Sequence, residues 1–418
     1  MHNCGKKGAT MPNSFIPRSL QPVLQRAARE FPAVVLTGPR QSGKTTLLRR
    51  LFIPEYRYAS LELPDVRVAA ATDPRGFLAM HAPPAVLDEI QNAPGLLPYI
   101  KERLDADRAR KGQYLLTGSQ NLLLAERVTE SLAGRAALLR LLPLSGRETR
   151  GDPQAPLPWE EGWGARNSSP ISQPTEIWKG FLRGAFPELA AEPDRDPALW
   201  HSSYVQTYLE RDVRGLRQIG DLTLFQNFLR ALAVRSGQLL NLAELAHDLG
   251  VATNTAKAWL SVLEATYQIV ILRPYYANVG KRLVKTPKVY FTDTGTLCHL
   301  AGLKDPAHAA SGPMGGAIFE TAVLLEILKT LVHRAEDPQI HFWRTASGAE
   351  VDFLVQANGR LIPIEAKLSA TPRPAMAKGI RSFRGDLGMQ AGPGYVVHPG
   401  DARLPLGDDV TALPFACL

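Results

Sequence analysis

The sequence predicts a multidomain α/β protein, and three observations carry that reading. Short apolar runs alternate with helical patterns from about residue 19 to 145, a helix-turn-helix pattern occupies the middle of the chain, and alternating strands around an Asn358-Gly359 turn mark its last third. At 418 residues the chain is too long for one ordinary core.

Residues 1–18 read as a loose tail. In 19–145 the runs Ala33–Thr37, Tyr56–Leu61, Ala85–Leu87, Tyr114–Thr117 and Ala136–Leu142 are short and mostly apolar. Strands buried on both faces look like this, so the segment is expected to form a parallel sheet covered by helices. Residues 146–176, rich in Pro, Gly and Ser, read as a linker. A helical region is expected over 177–237, a helix-turn-helix with following strands over 238–300, and a second α/β unit over 301–418. In that unit a helix over 315–332 leads to strands near 341–344, 350–355 and 361–366, with a last strand near 394–398.

Bulk properties narrow the function classes. A hydrophobic fraction of 45% and a charged fraction of 21% are those of a globular chain. The formal charge of +8 permits a polyanionic partner without demanding one. Cys4, Cys298 and Cys417 are too scattered for a disulfide framework or a zinc knuckle and fit a cytoplasmic protein. No apolar run is long enough to span a bilayer, so no membrane partner is expected.

The run Gly38-Pro39-Arg40-Gln41-Ser42-Gly43-Lys44-Thr45 follows one strand and opens a helix. That is the context in which GxxxxGK[ST] cradles phosphates: glycines let backbone N–H groups curl inward, and the helix N-terminus adds its dipole. ATP is the expected ligand, held by Gly38 to Thr46, with Lys44 on the β- and γ-phosphates and the Thr45 hydroxyl on Mg²⁺. Pro84-Ala85-Val86-Leu87-Asp88-Glu89 is an apolar strand ending in two acids. Asp88 is expected to hold the metal and Glu89 to polarise the attacking water. Ser119 or Gln120, after the next strand, is a candidate γ-phosphate sensor, and Arg135 a candidate arginine finger in cis or toward a neighbouring copy.

Together LTGPRQSGKTTLL, VLDEIQ, LLTGSQ and ESLAGR resemble the prokaryotic AAA-type ATPases that carry a C-terminal domain of unknown function. The stretches FLRGAFPEL and YVQTYLERDVR are similar to the same family, so the resemblance extends over most of the chain. It implies an AAA-like core, a helical and winged-helix region, and a nuclease-like end.

In the middle region Asn241 to Val251 reads as a helix closed by a turn at Gly250, and Ala252 to Leu260 as a second helix exposing Thr253, Asn254, Thr255 and Lys257. From Arg273 to Thr292 the chain has five basic residues (Arg273, Lys281, Arg282, Lys285, Lys288) and no acid. A basic wing beside a recognition helix is one way to bind DNA; a packing lid is the other reading. In the last third Asp352, Glu365 and Lys367 lie on a hairpin in the D…ExK pattern, which resembles PD-(D/E)XK nucleases. Asp352, Glu365 and Glu320 are then candidate Mg²⁺ or Mn²⁺ ligands, and Lys367 a group that positions water. The expectation is a Mg²⁺-dependent ATPase coupled to DNA binding or cleavage. Its rival is an ATP-driven switch that orders a homo-oligomer or docks a protein partner, with the nuclease-like end a silent scaffold.

Overall fold

The computed structural model describes residues 15–119, 131–165, 173–209, 221–275, 284–387 and 391–418. Strands β1 (Ala33–Thr37), β2 (Arg57–Ser60), β3 (Ala85–Asp88), β4 (Tyr114–Gly118) and β5 (Ala136–Arg140) form a parallel sheet in the order β2-β3-β4-β1-β5. Alternate residues feed two cores. Val34, Leu36, Val86 and Leu115 pack under α1 (Gln21–Glu30) and α2 (Lys44–Phe52). Val35, Leu87 and Leu116 pack under α3 (Pro64–Thr72), α4 (Pro74–Met80) and α5 (Leu97–Ala106). Burial on both faces is why the central strands β1, β3 and β4 read as continuous apolar runs. Strand β4 lies between β1 and β3, so the ends of all three open on one edge of the sheet.

In the middle of the chain the helices Leu222–Ala233, Leu242–Asp248 and Thr253–Ala265 pack through Phe225, Phe228 and Trp259. Gly250, between the second and third, takes the left-handed conformation that a side chain resists (φ +66°). An antiparallel ribbon of β6 (Ile269–Leu272) and β7 (Lys288–Phe291) follows.

The helix Gly315–His333 leads into a mixed sheet of β8 (Ile340–Arg344), β9 (Glu350–Ala357), β10 (Arg360–Ala366), β11 (Gly394–His398), β12 (Leu404–Pro405) and β13 (Val410–Pro414), in the order β12-β13-β11-β10-β9-β8. The sheet does not end at 394–398. Strand β13 pairs in parallel with β11, a placement hidden in the sequence by the Pro, Gly and Asp residues around so short a run. The middle region and the C-terminal sheet share one core, where Phe181, Phe319 and Phe415 meet ring to ring.

Two expected boundaries are corrected. The described part of the expected linker is built into the protein: Arg147, Glu148 and Leu157 are buried, the Arg147 guanidinium reaches the Leu418 carbonyl, and the Tyr395 hydroxyl donates to the Pro158 carbonyl. The expected tail also ends early, because Arg18 is buried beneath the phosphate loop.

Candidate functional site: a phosphate loop and an acidic cluster

The loop between β1 and α2 has the backbone that its glycines permit. Gly38 sits at φ +148° and Gly43 at φ +92°; a Cβ on Gly38 would stand 2.1 Å from the Leu141 carbonyl oxygen. Lys44 folds back, its ammonium donating to the Gly38 and Pro39 carbonyls at 3.0 and 2.8 Å. The Ser42 hydroxyl is buried and finds no hydrogen-bond partner among the described residues. A loop with curled amides, a lysine and an orphaned hydroxyl fits an anionic guest. Thr46 is exposed at the start of α2. A cavity of about 400 Å³ opens here, lined by Lys44, Thr45 and Glu89 together with Phe15, Leu144 and Pro187.

Asp88 ends β3 directly opposite. Its carboxylate accepts from the Thr45 hydroxyl at 2.9 and 3.1 Å, from the Tyr58 hydroxyl at 2.7 Å, and from Thr117. A threonine hydroxyl and a carboxylate in contact are the donor pair that Mg²⁺ takes beside triphosphate oxygens, so these residues fit the ion. Glu89 adopts a left-handed conformation (φ +57°), which turns its side chain away from Asp88 and toward Ser119. There its carboxylate accepts from Ser119 at 3.2 Å and from Gln91, and its N–H donates to Thr117 at 3.0 Å. Thr117, Tyr58 and Gln91 are the residues to which motif reading gave no role; Thr117 and Gln91 lie near the ends of β4 and β3, while Tyr58 lies within β2 and carried no signal. Gln120 lies outside the described residues.

Arg135 is not brought to this edge. Since Ala33 pairs with Ala136, it stands at the far end of the sheet, roughly 16 Å away for five residues at about 3.3 Å each. Its guanidinium clasps Asp105 at 2.6 and 2.9 Å. In this structure Arg135 is therefore not placed as an arginine finger in cis. Arg140 stands at the right edge, paired with Thr37 and stacked on the Tyr267 ring, whose hydroxyl donates to Thr37 Oγ1 at 2.9 Å.

Behind the loop lies a buried ionic relay that the sequence did not announce. The Arg18 guanidinium donates to the Ser42 carbonyl at 2.7 Å, to the Leu142 carbonyl at 2.7 Å, and to Glu148 at 3.1 Å. Glu148 also accepts from the N–H groups of Ser19 and Ser145, and lies 3.1 Å from His333 Nδ1 at the end of helix Gly315–His333. Burial works against a charged Glu148, but His333, Arg18 and the Ser145 N–H outweigh it and hold the carboxyl well below its usual range. Burial pushes His333 down, so it stays neutral. The Leu142 N–H donates to its Nε2, which leaves the ring proton on Nδ1, facing Glu148.

In the C-terminal sheet Glu320, Asp352, Glu365 and Lys367 do converge, but as an ion-paired cluster. Lys367 Nζ lies 2.6 Å from Glu365 and 3.8 Å from Asp352, while Lys288 Nζ lies 3.0 Å from Glu320 and 2.7 Å from Glu350. Burial, with Asp352 close by, raises Glu320 to about 7 and pushes Glu365 up as well. No group of three or more His, Cys, Asp or Glu among the described residues is placed to hold a metal. The expected metal set of Glu320, Asp352 and Glu365 is not placed as one among the described residues: Lys288 pairs with Glu320 and Lys367 with Glu365. Lys288 was expected on a phosphate-facing wing, yet it is buried here.

Comparison with known proteins gives the chain a family and its N-terminal part a domain type. The uncharacterized proteins Rv2008c of Mycobacterium tuberculosis and Mb2031c of Mycobacterium bovis are each 35% identical to this chain over 397 residues, covering 94% of it and 82% of their own length. The chain belongs to their family. Residues 30–150 match the model of an AAA domain, and residues 175–307 and 315–418 match two domains of unknown function, DUF8612 and DUF4143. Among solved structures, the Walker-type ATPase PABY2304 of Pyrococcus abyssi is 17% identical with a TM-score of 0.45, covering 71% of this chain and 99% of that one. The N-terminal module is an AAA-type P-loop ATPase domain. No helix among the described residues is long and apolar enough to cross a membrane.

Proposed function

We propose that the protein binds ATP with Mg²⁺ at the loop Gly38–Thr45 and hydrolyses it. The observation that carries this is the contact of Thr45 with Asp88 while Glu89, one residue on, turns aside to Ser119. Thr45 and Asp88 would hold the ion, which neutralises charge on the β- and γ-phosphates. Lys44 leaves the Gly38 and Pro39 carbonyls for those phosphates, and the loop amides bind their oxygens. Glu89 accepts the proton of the attacking water, with Ser119 and Gln91 setting its orientation until nucleotide arrives. Lys44→Ala is expected to abolish ATP turnover by the full-length protein; turnover at the wild-type rate would remove the basis of this reading.

A second reading, contact with DNA, is favoured by one surface. Thr253, Asn254 and Lys257 are exposed on helix Thr253–Ala265 while Ala256, Trp259 and Leu263 of that helix are buried, and Arg273 and Lys285 are exposed near the ribbon. This is how a winged helix would meet a phosphate backbone. Its test is the ATPase rate with and without duplex DNA at two salt concentrations. Stimulation that fades with salt supports DNA as partner, and indifference supports a protein-docking switch.

A further inference from the structure

The acidic cluster of the C-terminal sheet carries its own cation, delivered by another part of the chain. Lys288 and Tyr290 alternate onto one side of β7. The Lys288 ammonium sits between Glu320 and Glu350 at 3.0 and 2.7 Å, and the Tyr290 hydroxyl donates to the same Glu320 oxygen at 2.6 Å. Lys288 is 3% exposed, and its ammonium lies 5.4 Å from the centre of the Phe342 ring. Its ribbon is fastened to the edge strand β8: the Tyr275 N–H donates to the Phe342 carbonyl at 2.7 Å and the Val284 N–H to the Arg344 carbonyl at 3.1 Å. On the other side Lys367 covers Glu365, and the Ala366 N–H donates to Asp352 at 2.9 Å.

A divalent cation binds such a cluster through carboxylate lone pairs that are free to turn toward it. Here two ammonium groups and a tyrosine hydroxyl already pair with oxygens of Glu320, Glu350 and Glu365. A buried lysine is stable only while its partners stay ionised around it, so the ribbon and the cluster depend on each other.

We propose that Lys288 is the resident cation of this cluster, locking the ribbon β6–β7 onto the C-terminal sheet and keeping divalent metal out. The lock accounts for an acid–lysine set that resembles a metal site in sequence and does not fit one in space. It is independent of whether ATP is turned over.

The test counts Mn²⁺ bound to the full-length, nucleotide-free protein by the electron paramagnetic resonance signal of the free ion. Wild type and Asp352→Asn are expected to bind the same amount. Lys288→Met, which removes the charge and keeps the stem, is expected to bind one further Mn²⁺ per chain, and Lys288→Met/Asp352→Asn to lose it. A Mn²⁺ bound by wild type and absent from Asp352→Asn would overturn the proposal, as would a folded Lys288→Met with no added ion. Should Lys288→Met fail to fold, the wild-type and Asp352→Asn pair still decides, because a metal-loaded cluster must lose its ion with Asp352.

Discussion

Glu89 and Asp88 are chain neighbours with opposite surroundings. Asp88 is tied to Thr45, Tyr58 and Thr117, whereas Glu89 is turned by its left-handed backbone onto Ser119 and Gln91. That division predicts separable defects. Glu89→Gln should retain ATP binding and lower kcat by about 10²-fold or more, read in single-turnover assays. An undiminished rate would assign water activation elsewhere. Because Arg140 stands at the phosphate edge and Arg135 at the far end, Arg140→Ala should lower kcat more than Arg135→Ala in the same assay; the reverse order would point to Arg135 acting on a neighbouring copy. Gly38→Ala should abolish nucleotide binding, measured by fluorescent-nucleotide titration. The added methyl would stand 2.1 Å from the Leu141 backbone carbonyl oxygen. At this scale the site was legible in sequence where spacing encodes chemistry, as in Lys44, Thr45, Asp88 and Glu89. Arg18, Glu148 and His333 were not, because a buried partnership across 130 residues or more leaves no local pattern.

Helix Gly315–His333 is one element through which the C-terminal module touches the ATPase module. Lys329 donates to the Leu144 carbonyl, Glu326 accepts from the Gly146 N–H, and His333 meets Glu148. These contacts set a pH dependence whose sign is fixed by two depressed values. A neutral buried His333 supports the fold above its unfolded value of about 6.5, and an ionised Glu148 supports it above about 4.3. Both contributions are withdrawn on acidification, His333 first, since the unfolded chain takes up the protons the folded one resists. Urea unfolding should therefore show stability falling from about pH 6.5 downward. Glu148→Gln should cost about 3 kcal/mol at neutral pH and flatten the acid limb; an unchanged limb would mean that other groups set it. The helix itself was legible because it is long and apolar. The ribbon's docking on β8 was not, since its basic residues read equally well as a solvent-facing wing.

For the molecule as a whole, Ser42, Arg18 and Glu148 are hydrogen-bonded in line behind the phosphate loop, and His333 of the C-terminal module stands 3.1 Å from Glu148 at their end. On the proposed ATP reading, a nucleotide in the loop would draw Lys44 away from the Gly38 and Pro39 carbonyls, next to the Ser42 carbonyl that Arg18 holds. A non-hydrolysable ATP analogue should therefore slow amide exchange in the last turns of helix Gly315–His333, and Arg18→Met should abolish that response. No change in the wild-type helix on nucleotide binding would show that the two modules are not coupled through this route.

By itself the sequence determined the parallel sheet, the phosphate loop at its edge and the carboxylates facing it, because strand burial and phosphate binding both impose strict local spacing. Only the tertiary structure decided that Arg135 is at the wrong end of the sheet, that the apparent tail and linker seal the loop from behind, and that Lys288 sits in the acidic cluster. Each of these depends on which distant groups share a buried volume. There a charge persists only beside its partner, and the identity of that partner is set by packing rather than by neighbours in the chain.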